Sequence, residues 1–139
     1  MKQVLLCCLL VCLGGFAMAQ TVLGSWKTID DNTGAERSYV EIYEKDGLVY
    51  GKITKLLDED PPSLVCTECK DYRKNQPLVG MEIITALKPN GTNWKGGKIM
   101  DPENGKSYNC KIWLDSDDVL KVRGFVGPLY RTQTWYRLN

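Results

Sequence analysis

The chain has 139 residues, 43% of them hydrophobic, 25% charged and 9% aromatic, a composition that excludes disorder and fits one folded domain. Eighteen Lys and Arg face seventeen Asp and Glu, so no surplus of positive charge exists to drive binding to nucleic acid. Histidine is absent, which removes the commonest general base, the usual partner of a Ser or Cys nucleophile and the commonest metal ligand.

In chain order, the first pattern is Lys2, the apolar run Val4 to Leu13, and the small-residue sequence Ala17-Met18-Ala19. This is the three-part layout of a secretory signal peptide over residues 1–19. Val11 ahead of Cys12 disfavours processing as a lipoprotein, so ordinary cleavage near Ala19 is expected. The domain then spans residues 20–139, carries equal numbers of acidic and basic residues, and is expected in the periplasm or outside the cell. The apolar run is shorter than the ~20 residues a membrane helix needs, and no second candidate follows, so no integral membrane segment is expected.

Eight β-rich runs follow: Val22 to Ile29, Ser38 to Glu44, Leu48 to Leu57, Met81 to Leu87, Asn93 to Met100, Ser107 to Leu114, Val119 to Val126 and Arg131 to Leu138. Between them lie turn residues such as Asn32-Thr33-Gly34, Asp46-Gly47, Pro89-Asn90-Gly91, Glu103-Asn104-Gly105 and Gly127-Pro128, which favour tight antiparallel connections. The exception is residues 58–77, a long loop with Pro61-Pro62 and two cysteines, which has room for a short helix. Gly80 to Leu87 reads as either strand or helix. The glycine pair Gly96-Gly97 suggests a bulge.

Alternation assigns faces. Val40 and Ile42, then Tyr108, Cys110, Ile112 and Leu114, then Leu120, Val122, Gly124 and Val126 are expected inward. Tyr39 and Tyr43, Lys111 and Trp113, and Lys121, Arg123 and Phe125 are expected outward. Eight antiparallel strands in sequence order close most economically as an all-β, up-and-down barrel, which leaves no exposed sheet edge. With ~8 residues per strand, half of them inward, any cavity is expected to be small.

Gly24-Ser25-Trp26 on the first strand, with an Arg on the last strand stacked across that Trp, resembles the pairing that locks lipocalin-like (calycin) barrels. Trp26, Trp135 and Arg137 are the residues expected in such a clasp. Further motifs occur in order: Val40-Glu41-Ile42-Tyr43, Tyr50-Gly51-Lys52-Ile53, Pro77-Leu78-Val79-Gly80-Met81, Trp94-Lys95-Gly96-Gly97-Lys98-Ile99-Met100-Asp101-Pro102, Leu120-Lys121-Val122-Arg123-Gly124-Phe125 and Arg131-Thr132-Gln133-Thr134-Trp135. This succession resembles the exported bacterial proteins grouped as the domain of unknown function 2147 family. The resemblance spans essentially all of residues 20–139 and implies a small lipocalin-like barrel. It implies no activity, cofactor or catalytic residues.

Read directly, the residues offer little chemistry. Asp58-Glu59-Asp60 and Asp115, Asp117 and Asp118 fall in expected turns and read as solvated loops rather than acid–base pairs or a calcium site. Cys66-Thr67-Glu68-Cys69 supplies two thiolates where structural zinc needs four ligands, so a local disulfide or two free thiols is expected and no metal. Cys110, on an inward apolar position, is expected buried and unpaired. Tyr50, Trp94, Tyr108, Arg123 and Arg131 could line a cup for a small apolar or amphipathic molecule, with rings burying apolar area and guanidiniums orienting a polar end. The expectation is a binding protein without a cofactor and not an enzyme. The alternative is a filled barrel serving as a structural or protein-interaction module through Tyr39, Tyr43, Trp113 and Phe125.

Overall fold

A computed structural model describes residues 21–57 and 64–139 of the chain. The expected leader at 1–19 and the stretch holding Asp58, Glu59, Asp60, Pro61 and Pro62 lie outside the described residues. The strands are β1 (Gly24–Ile29), β2 (Glu36–Lys45), β3 (Leu48–Leu56), β4 (Glu82–Asn90), β5 (Asn93–Asp101), β6 (Lys106–Ser116), β7 (Val119–Val126) and β8 (Leu129–Arg137). Each pairs antiparallel with its neighbour in sequence, and β8 returns to β1 to close an eight-stranded barrel. The segment that reads as strand or helix near Gly80 is strand β4, and from residue 64 to 81 the loop forms turns with no helix.

The inward positions of one half are apolar and tightly buried. Trp26, Val40, Ile42, Ile84, Leu87, Ile112, Leu120 and Trp135 are each at most 2% exposed and fill the end where the chain enters and leaves. Side chains in sheets at this spacing interdigitate at the density of a crystal, so this end is plugged. The other end carries the β1–β2 loop, the long β3–β4 connection and the β5–β6 and β7–β8 turns, and it stays open.

Two glycine positions shape the wall. Opposite Gly97 the β4 chain swings inward at Ala86, whose φ is +57°, and a Cβ on Gly97 would collide with the Thr85 carbonyl and the Ala86 backbone. The register slips here between Lys95 and Gly97, which is the bulge suggested by the glycine pair. Gly105, with φ +70°, lies so close to the Glu68 carbonyl that any side chain would push the cysteine loop off the β5–β6 turn.

Candidate functional site

The open end is a cup of about 990 Å³, near the upper end of ordinary ligand pockets rather than the small cavity expected from strand length. The correction has a physical source. The loops above β1–β2 and β5–β6 and the cysteine loop extend the wall beyond the strands, and Gly124 projects no side chain into the space beside Tyr108.

Ile53, Ile83, Ile99, Met100, Val122 and Trp135 form its apolar floor and lower wall. Polar groups within the cup are few. Thr28 Oγ1 and Ser38 Oγ lie 2.7 Å apart, buried, and the Trp135 indole donates to Gln133 Oε1 at 3.0 Å. Tyr108, near the open end of β6, has its hydroxyl 3.3 Å from Asn104 Nδ2 in the β5–β6 turn. At the lip Val126, Leu129 and Tyr130 expose 58%, 72% and 61% of their surfaces. Three neighbouring apolar side chains are thus left in water at the cavity mouth, more than packing requires.

The rest of the rim is charged. Asp30, Asp31, Glu68, Asp101 and Glu103 face two guanidiniums, Arg37 and Arg131. Both are engaged: Arg37 donates to Asp30 Oδ2 at 2.7 Å and to Glu103, and Arg131 Nε donates to Asp31 Oδ2 at 2.7 Å. These bridges tie β2 to the β5–β6 turn and β8 to the β1–β2 loop. Backbone N–H groups of Thr33 and Asn32, reinforced by Arg37, hold the Asp30 carboxyl down at about 2.

Of the five residues expected to meet a ligand, Tyr108 and Arg131 line the cup, although Arg131 is occupied by Asp31. The other three lie elsewhere. Tyr50 stacks on Tyr43 outside the barrel, with centroids 5.9 Å apart, because Val49, Gly51 and Ile53 take the inward phase of β3. Trp94 packs against the plugged end beside the β4–β5 turn. Arg123 is outside, between the Trp113 and Tyr130 rings at 4.9 and 4.1 Å. Thr28, Asp30, Ser38 and Gln133 belong to the cup and were not anticipated. A signal for them exists: stepping by two from Trp26 reaches Thr28 and Asp30, and from Trp135 reaches Gln133 and Arg131.

Below the cup, Arg137 sits 4.2 Å from the Trp26 ring centroid, and Trp135 is buried opposite Leu120. Cys66 and Cys69 form a disulfide, buried under the rim with Cys69 Sγ 3.7 Å from Met100 Sδ, and Cys110 is a free, buried thiol. Asp115, Asp117 and Asp118 are exposed at the plugged end.

The profile of a family described as uncharacterized protein conserved in bacteria (DUF2147) matches residues 24–137. The chain belongs to this family. Among solved structures, it is similar to protein HP1028 from the human pathogen Helicobacter pylori, described as belonging to the lipocalin family. That likeness has a TM-score of 0.75 at 21% identity and covers 87% of this chain and 85% of the other, so it speaks to the barrel alone. No curated protein matches the chain. The fold of that structure agrees with the closed barrel built above.

Proposed function

We propose that the protein is an exported, non-enzymatic barrel that holds a small amphipathic molecule in its open end. The observation that carries this reading is a cup of about 990 Å³ whose floor is apolar and whose mouth combines an exposed apolar lip with a charged rim. Desolvating an apolar chain on the floor supplies affinity at roughly 25 cal/mol per Å² before the costs of ordering the ligand, and the rim keeps a polar end in water. Export rests on the signal-peptide pattern of residues 1–19.

Five rim carboxylates against two paired guanidiniums favour a cationic or uncharged polar end over an anionic one. The alternative of a filled barrel needs an interior with space for no more than a few waters, and the cup is far larger. Native mass spectrometry and solvent extraction of the purified protein test the reading. A co-purifying molecule, or saturable displacement of a fluorescent lipid probe, is expected; the absence of both would sink it.

A further inference from the structure

The cavity is not the only organised feature, because charge that cancels over residues 20–139 is segregated in space. Lys88 on β4 stands opposite Lys95 on β5, which stands opposite Lys111 on β6, which stands opposite Arg123 on β7. Four cations thus form a row across four neighbouring strands, spanning roughly 14 Å at ordinary strand spacing. Like charges directly opposite one another destabilise a sheet. None of the four makes an ion pair among the described residues; Lys111 and Arg123 instead flank the Trp113 ring at 5.4 and 4.9 Å.

The outward rows on either side continue the pattern. One runs Asn90, Asn93, Trp113, Lys121, Thr134 and the other Thr85, Lys98, Asn109, Phe125, Tyr130. Three rows therefore hold six cations and three aromatic rings and no carboxylate. On the outer face of β1 to β3, by contrast, carboxylates intersperse with lysines: Glu36 bridges Lys27 at 2.7 Å and Glu41 stands opposite Lys52.

We propose that this outer face of β4 to β8 docks on an anionic lipid bilayer. Its convex array of cations suits an extended anionic surface, and aromatic rings with one polar edge favour the lipid–water interface. The face is continuous with the cup: Tyr130 ends one row, stacks on Arg123 at 4.1 Å, and is also part of the cup's lip with Val126 and Leu129. Docking sets the apolar lip beside the bilayer and turns the Asp30 and Asp31 carboxylates of the β1–β2 loop away from it.

Sedimentation with vesicles tests this on the protein as its host processes it. Phosphatidylcholine vesicles are compared with vesicles that also contain phosphatidylglycerol, for wild type, for K88Q/K95Q/K111Q, and for K45Q/K52Q/K55Q, which removes equal charge from the far side. All three proteins share one N-terminus, so the comparison isolates the face. Wild type is expected on anionic vesicles only, with binding lost as salt rises. The row variant is expected to bind about a hundredfold more weakly, at roughly fivefold per cation near the surface. The far-side variant is expected to bind like wild type. Relief of repulsion is expected to raise the thermal midpoint of the row variant, which separates lost docking from lost folding. Absent wild-type binding, equal binding to neutral vesicles, equal loss in the far-side variant, or binding to duplex DNA without binding to vesicles would each overturn the proposal.

Discussion

The guanidinium of Arg137 lies 4.2 Å from the centroid of the Trp26 ring and at the same time donates to three backbone carbonyls, those of Thr21 at 2.7 Å, Leu23 at 3.0 Å and Asp117 at 2.7 Å. Gly24 makes room for it: its φ of +126° suits glycine, and a Cβ there would come within 3.0 Å of Arg137 Nη1. The clasp matters because β1 and β8 share only the pairs Trp26 with Arg137 and Lys27 with Tyr136. One side chain thus joins the entry segment, the β6–β7 turn and the last strand where the barrel seam is shortest.

Arg137→Ala is therefore expected to lower stability by about 2–4 kcal/mol, the loss of a desolvated cation–π contact together with charge-assisted hydrogen bonds. Arg137→Lys keeps the charge but not the fork of donors and is expected to recover less than half. Denaturant unfolding followed by Trp fluorescence measures both. A loss below ~0.5 kcal/mol for the alanine variant would show that the seam holds without the clasp.

Filling the cup should remove ligand binding and leave the barrel intact. Gly124 has an ordinary strand conformation, and a Cβ there would meet Tyr108 Cβ at 3.4 Å, a normal contact, so Gly124→Leu projects its side chain into the cup. Stability is expected to change by no more than about 1 kcal/mol, since glycine is itself unfavourable in a strand. Calorimetry with dodecyltrimethylammonium and dodecanoate below their micelle concentrations is expected to show tighter binding of the cation to wild type, and at least tenfold weakening in the variant. Equal binding of the cation by both proteins would place it outside the cup.

Much of this architecture was legible because β-structure has a strict period. Val40 and Ile42, or Cys110, Ile112 and Leu114, announce an inward face by alternation alone, and eight such runs with tight turns leave few topologies. The cup was harder to read because its contents depend on which inward positions stand above the plug and which within it. Trp94 has inward phase yet sits at the plugged end, a matter of height along the barrel that no local pattern encodes. Arg131 has the right phase and height, but its partner Asp31 lies one hundred positions away in sequence. The cation row is a property of register: Lys88, Lys95, Lys111 and Arg123 align only after the slip at Gly96-Gly97 is counted.

Acid should loosen the mouth before the barrel. The Asp30 carboxyl has an ordinary value of 3.8 and is lowered to about 2 in the fold, chiefly by the N–H groups of Thr33 and Asn32. A folded value below the unfolded one means that its contribution is complete above about pH 4 and is lost as pH falls through 2. Stability of wild type is expected to drop across that window more steeply than that of Asp30→Asn, measured as denaturant midpoint against pH. Parallel curves for the two proteins would remove Asp30 from the acid response.

The thiols give the last test, and it reports on the core. Cys110 is 2% exposed, and burial pushes its thiol from 9.0 up to about 12. It is therefore both inaccessible and un-ionised at neutral pH, while Cys66 and Cys69 are joined. For the chain without residues 1–19, a thiol reagent is expected to find no reactive group in the native state, one on unfolding without reductant, and three on unfolding after reduction. The sign of the alkaline response follows. Between pH 9 and about 12 the unfolded chain releases the Cys110 proton and the folded one keeps it, so stability falls as pH rises. Cys110→Ala should flatten that decline relative to wild type. A native protein that reacts at neutral pH on the timescale of the unfolded one would show that the inward face of β6 opens locally, without unfolding of the barrel.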